Sequence, residues 1–210
     1  MQCIESPTPK NQQDLKSIFR SARKRPTRLP RSVTFKTDIG LSAKLVNELG
    51  GRRKAYKWVD EVIKLAREQF HLKSLHTKVR IRVMEKKVYR ITNPNIDDLI
   101  KQYRKNARYP LGFFDADNTE NDYKGIAKLS TACDPTNSGY IIAKVYTAKS
   151  YAACTLAHEI GHIIGMSHNK AYRGCYGGVM NPLGLKEGWT KCNNDDFKSY
   201  YFSRGYTCLF

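Results

Sequence analysis

A chain of 210 residues in which 40% are hydrophobic is long enough for one well-formed core and too short for several large domains. No stretch approaches the roughly 18 to 20 consecutive apolar residues of a membrane-spanning helix, so a bundle of such helices is excluded. Thirty-seven Lys and Arg against 19 Asp and Glu give a formal net charge of +18. That charge implies attraction to polyanions, a glycosaminoglycan among them, but no zinc-finger, homeodomain or RNA-recognition signature accompanies it, so no specific nucleic-acid partner is expected.

Residues 1–31 are rich in Pro, Ser, Gln and basic side chains, with Arg23, Lys24, Arg25, Arg28 and Arg31 interrupted by Pro26 and Pro30. They read as a basic flexible arm or the remnant of a propeptide, and they lack the apolar centre of a secretory signal. Residues 32–210 then read as one domain. A short strand is expected at Val33-Thr-Phe35. A helix follows from about Arg53 to Phe70, where Tyr56, Val59, Val62, Ile63, Ala66 and Phe70 recur at helical spacing.

From His76 to Met84, Val79, Ile81 and Val83 alternate with Lys78, Arg80 and Arg82, the pattern of a half-buried strand. Residues 95–106 read as a helix with Asp97 and Asp98 in its first turn. Tyr109 to Phe114, Gly125 to Leu129 and Tyr140 to Tyr146 are further strands. A helix is expected from Ser150 to Gly165, then a Gly-rich, turn-rich segment, then a last helix near Asp195 to Ser203. Interleaved strands and helices predict an α/β fold.

The six cysteines, Cys3, Cys133, Cys154, Cys175, Cys192 and Cys208, contain no C-x-x-C pair, and an even count points to disulfides in an oxidising, extracellular compartment.

The chemistry is concentrated between His158 and His168, which read His-Glu-Ile-Gly-His-Ile-Ile-Gly-Met-Ser-His. On a helix, His158 and His162 project from one face and can grip one ion. Gly165 stands where the helix must end, because glycine enters the left-handed conformation without steric penalty, and the turn it permits can bring His168 back to the same ion. Three neutral imidazoles leave a fourth position on Zn2+ for water, the arrangement of a catalytic site. Glu159, adjacent to the first ligand and not needed as one, is the expected base that takes the water's proton and delivers it to the leaving amine. The predicted activity is therefore that of a zinc-dependent endopeptidase. The competing reading is a latent or inactive zinc-stabilised cationic protein that binds a polyanion, which would have no use for Glu159.

This extended motif resembles that of the metzincin metalloproteases, and Gly177-Gly-Val-Met180 looks like the methionine turn that floors the zinc in that clan. Among metzincins the chain is most similar to the adamalysin or reprolysin family of snake venom, ADAM and tick salivary proteases. It carries Gly125-Ile126-Ala127 ahead of Cys133, and ends with Trp189-Thr-Lys-Cys192, Asp196-Phe197 and Gly205-Tyr-Thr-Cys208. The resemblance implies a mixed, mostly parallel twisted sheet with packed helices, an active-site helix and a smaller irregular C-terminal subdomain. It further implies the bonds Cys133–Cys208 and Cys175–Cys192, and a substrate-binding edge strand at Gly125, Ile126 and Ala127. It suggests a secreted monomer of arthropod venom or saliva, acting on proteins or peptides. Asn169 departs from the family, which mostly has Asp after the third histidine. Ca2+ is left open, since the family's calcium-binding Asn beyond the last cysteine has no counterpart in a chain that ends two residues after Cys208.

Overall fold

A computed structural model describes residues 26–90, 108–116, 125–134, 139–145, 148–182 and 188–210. The helix expected over 95–106, Cys3 and residues 1–25 of the basic arm lie outside them. In chain order the elements are β1 (Ser32–Ser42), α1 (Ala43–Glu48), α2 (Arg52–Phe70), β2 (Lys78–Tyr89), β3 (Leu111–Ala116), β4 (Gly125–Ala127), β5 (Tyr140–Val145), α3 (Lys149–Ile163) and α4 (Lys191–Ser203), with 3-10 turns at Ala171–Arg173 and Gly205–Thr207.

The strands form a five-stranded sheet in the order β2-β1-β3-β5-β4. The first four run parallel, and only β4 is antiparallel to its neighbour, with Gly125 opposite Ala143 and Ala127 opposite Ile141. This is the mixed, mostly parallel α/β architecture expected from the sequence. Parallel strands are sandwiched between layers, which explains why β1 is far longer than the Val33-Thr-Phe35 segment legible in the sequence: Thr37, Ile39, Gly40, Leu41 and Ser42 are all buried, so alternation is lost where both faces are covered.

The core is the apolar face of α2 and most of α3 laid against the sheet. Trp58 meets Phe114 edge-on at 5.5 Å, and Phe70 stacks on Trp189 at 4.9 Å, with the Trp189 indole donating to the Gln69 carbonyl. The last helix begins at Lys191 rather than near Asp195, because Thr190 caps it: its hydroxyl accepts from Asn193 N, and the Asn193 side chain accepts from Thr190 N. The β3 strand begins at Leu111, just past Pro110, and β4 ends at Ala127, two residues short of the expected end.

The two sheet edges differ. Along β2, α2 side chains occupy backbone carbonyls, Arg67 donating to Ile81 O and Tyr56 to Lys86 O. Such side-chain cover is one way a sheet edge is blocked against strand addition. The opposite edge, β4, lies beside α3.

Candidate metal centre

Helix α3 stops where the metal chemistry requires it to. Ile164 is its last cap residue, and Gly165 follows at φ +95°. Gly165 N bonds to His162 O (2.9 Å) and Met166 N to Gly161 O (2.8 Å), the paired bonds of a Schellman turn. A Cβ on Gly165 would overlap the Tyr200 side chain, so glycine is required both by φ and by packing. The turn swings Met166 O under the helix, where the His162 Nδ1–H donates to it at 2.9 Å.

His158 Nδ1–H likewise donates to Val179 O at 2.7 Å. Because a carbonyl can only accept, both bonds fix the Nδ1–H tautomer and turn the Nε2 lone pairs inward. There the Nε2 of His168 lies 3.1 Å from that of His158 and 3.0 Å from that of His162. Three nitrogens at such separations cannot all be protonated. Burial pushes the His162 imidazole down to about 4, with the neighbouring His158 and His168 adding to the effect, and lowers His158 as well. His168 is lowered by burial and by Lys170. A convergent set of neutral imidazole nitrogens fits a zinc ion. Among the described residues this is the one group of three His, Cys, Asp or Glu placed to hold a metal.

Glu159 sits on the adjacent face of the helix, 4% exposed, and its Oε2 has no hydrogen-bond partner. Desolvation alone pushes its carboxyl up to about 8. What lies over it is Gly125 of β4: a Cβ there would overlap Oε1 and stand 2.9 Å from Cδ and Cγ. On the other side, Met180 fills the space left by Gly161, where a Cβ would come within 2.5 Å of the Met180 sulfur.

A prediction follows from these shifts. At pH 7 the metal-free Glu159, with its pKa of about 8, holds a proton, whereas the histidines, all shifted downward, are largely neutral. A divalent cation beside Glu159 favours the carboxylate. Zinc addition to metal-free protein in weak buffer at pH 7 is expected to release close to one proton, and Glu159→Gln to reduce that release while still taking up zinc. Equal release from both proteins would contradict it.

Asn169 explains its own departure from the family pattern. It is buried, its N–H donates to Met180 O at 2.8 Å, and its side-chain amide donates to Gly177 O at 2.6 Å. Its Oδ1 accepts from Thr190 Oγ1 and from Asn193 Nδ2, each at 2.9 Å. The segment carrying His168, the methionine turn and the start of α4 are thus tied at one side chain. A carboxylate could not donate to Gly177 O. Asn169→Asp is therefore expected to destabilise the zinc-loaded protein by about 1–3 kcal/mol, read as a lowered melting temperature; an unchanged melt would contradict the role.

Two disulfides lock the surroundings. Cys133–Cys208 ties the segment after β4 to the tail, and Cys175–Cys192 ties the loop before the methionine turn to α4. Asp196 reinforces the second tie with a bidentate pair to Arg173 (2.6 and 3.0 Å) and a bond from Ser167 N. Cys154 belongs to neither of these two disulfides.

The structure therefore brings together His158, Glu159, His162, Gly165, His168 and Met180 with Gly125 of the edge strand, while Ile126 is 36% exposed on that edge. Sequence reasoning missed the Asn169–Asn193–Thr190 cluster and the packing of Gly125 on Glu159. The one available signal was Asn169 itself, noticed only as an exception.

The family model described as Reprolysin (M12B) family zinc metalloprotease matches residues 99–210. A zinc metalloproteinase/disintegrin from Bitis gabonica is 30% identical over 88 residues, which are 40% of this chain and 27% of that protein. The snake venom metalloproteinase fibrolase of Macrovipera lebetinus is 29% identical over 90 residues, 40% of this chain and 45% of that protein. The matched region thus spans less than half the length of either relative. Among solved structures, metalloproteinase-II from Bacteroides fragilis aligns with a TM-score of 0.53 at 15% identity, over 83% of this chain and 55% of that one. A chain described as "Structure of a chaperone-substrate complex" gives 0.58 at 14%, over 83% and 35%. The fold is shared at these identities; the family assignment rests on the match that covers the site, and by that match the chain belongs to the reprolysin family of zinc metalloproteases.

Proposed function

We propose that this protein is an extracellular zinc endopeptidase in which residues 32–210 form the catalytic unit, His158, His162 and His168 hold the ion and Glu159 moves the proton. The observation that carries the reading is an unpartnered buried carboxyl, Glu159, next to His158 on the helix that carries two of the three convergent Nε2 atoms. Burying a carboxyl without a partner is costly, and a purely structural metal site has no use for it. That argues for the enzyme over a metal-stabilised polyanion binder.

When bound, zinc supplies Lewis acidity for the scissile carbonyl and acidifies water. The chain's own residues do the rest. The β4 edge pairs with an extended peptide as an added strand, its backbone groups giving affinity and Ile126 contacting side chains. Glu159 accepts the proton of the attacking water on a carboxylate oxygen and returns it to the leaving amine nitrogen. Gly125, lying on Glu159, keeps that carboxyl away from solvent. The Nδ1 bonds to Val179 O and Met166 O hold two imidazoles in the ligand tautomer throughout. The two disulfides and the venom relatives support an extracellular setting.

The test is digestion of an unfolded protein by metal-loaded enzyme. Internal cleavage that a chelator stops and zinc restores supports the reading. Zinc-replete protein with no cleavage of any unfolded substrate would end it.

A further inference from the structure

The net charge of +18 is not absorbed by the zinc site, and the structure shows where part of it is organised. On β2, Val79 and Ile81 are buried against the helices, so the alternating Arg80 and Arg82 lie on the opposite face of the sheet, both exposed. Arg82 is the register partner of Lys36 on β1, and Arg80 of Thr34. Neither arginine has an ion-pair partner among the described residues.

The row runs into a cavity. β3 pairs with β1 only from Asp38 onward, so beside Phe35 and Lys36 the sheet is open. The gap is a cavity of about 260 Å³. Lys36 and Arg108 supply its cations, Tyr109 and Phe210 its aromatic wall, and Asp134 its acidic group. Lys36 reaches across Phe210, its Nζ 5.1 Å from the ring centroid. None of the lining residues belongs to the histidine triad, Glu159 or β4.

We propose that this cavity and the row Arg108, Lys36, Arg82, Arg80 form a binding site for a linear sulfated polysaccharide. Cations grouped on neighbouring strands, Arg82 about 5 Å across the sheet from Lys36 and Arg80 about 7 Å further along β2, match a repeating anion rather than a single ion. Arginine forks suit the oxygens of sulfate groups. The aromatic wall offers a sugar ring a face to lie against. Two disulfides place the chain in an oxidising compartment, where the repeating polyanion is a sulfated glycan rather than nucleic acid. The site holds the enzyme on its glycan through the face of β1 and β2 opposite the one packed on the described helices, leaving the β4 edge for substrate.

The test uses the full chain and a size-defined heparin oligosaccharide, with dissociation constants measured across a salt series. Lys36→Ser/Arg80→Ser/Arg82→Ser is expected to weaken binding at least tenfold and to flatten the plot of log affinity against log salt by about two to three. Removal of the same number of charges from the outer face of α2, as Arg53→Ser/Lys57→Ser/Lys64→Ser, is expected to cost less than threefold. Cleavage of a short uncharged peptide should be the same in all three proteins. Equal weakening by the two triple variants would mean that binding follows net charge, and would overturn the site. Duplex DNA of matched charge, or phosphatidylserine vesicles, bound as tightly as heparin and lost on the same variant would overturn the assignment to a sulfated glycan. Failure of the wild type to bind heparin at physiological salt would overturn it outright. Because the readout is binding, none of these results bears on the zinc endopeptidase reading.

Discussion

Glu159→Ala leaves the zinc content unchanged and lowers cleavage of an unfolded protein by about 10²- to 10⁴-fold, the contribution of a positioned acid–base group. Zinc is retained because the three Nε2 atoms are oriented by other contacts, His158 through Val179 O and His162 through Met166 O, and none is held by Glu159. Activity falls because the group that takes the water's proton and returns it to the amine is gone. The variant should also melt no lower than the wild type in the absence of metal, since it removes a buried carboxyl whose Oε2 is unsatisfied. Loss of zinc together with activity would give Glu159 a structural role; full activity with zinc bound would place the base elsewhere.

Gly125→Ala is expected to lower kcat by about 10²-fold, the cost of displacing a reacting group by about an ångström. The new Cβ overlaps Glu159 Oε1 and crowds Cδ and Cγ, so either the carboxyl or the strand must shift. The collision is specific, which makes it separable from general damage. In a Glu159→Ala background the space is vacant, and adding Gly125→Ala should then cost almost no stability, whereas in the wild-type background it lowers the melting temperature. Such a pairwise dependence is what a double-mutant cycle isolates. Equal destabilisation in both backgrounds, or an unchanged kcat, would show that Gly125 does not set the position of Glu159.

The zinc motif was legible because metal chemistry demands fixed spacings: His158 and His162 on one helical face, Gly165 to end the helix, His168 beyond the turn. Helix α2 and the start of β2 were legible because each has one buried face, which leaves a periodic trace. Where both faces are covered the trace vanishes, so β1 beyond Phe35 was not anticipated, and the short α1, with Leu45 and Val46 alone buried, offers too few residues for a period. The start of α4 was misplaced because its N-cap works through polar residues, Thr190 and Asn193, that hydropathy ignores. Least legible were contacts between distant segments. Nothing in the sequence couples Gly125 to Glu159, or Asn169 to Asn193, since each pair meets only when β4, α3, the methionine turn and α4 assemble.

The carbonyl of His162, on the same residue whose Nε2 belongs to the triad, accepts the backbone N–H of Ser130, just past the β4 edge, and Ile163 O accepts that of Ala132. The proposed substrate rail and the ion holder are therefore referenced to one short stretch of backbone. A displacement of α3 that moves the ion holder also draws on the segment that follows β4, so the separation between a docked peptide bond and the ion varies less than if the two were held by unconnected elements. Alignment of this kind needs no rigid molecule, only a shared datum.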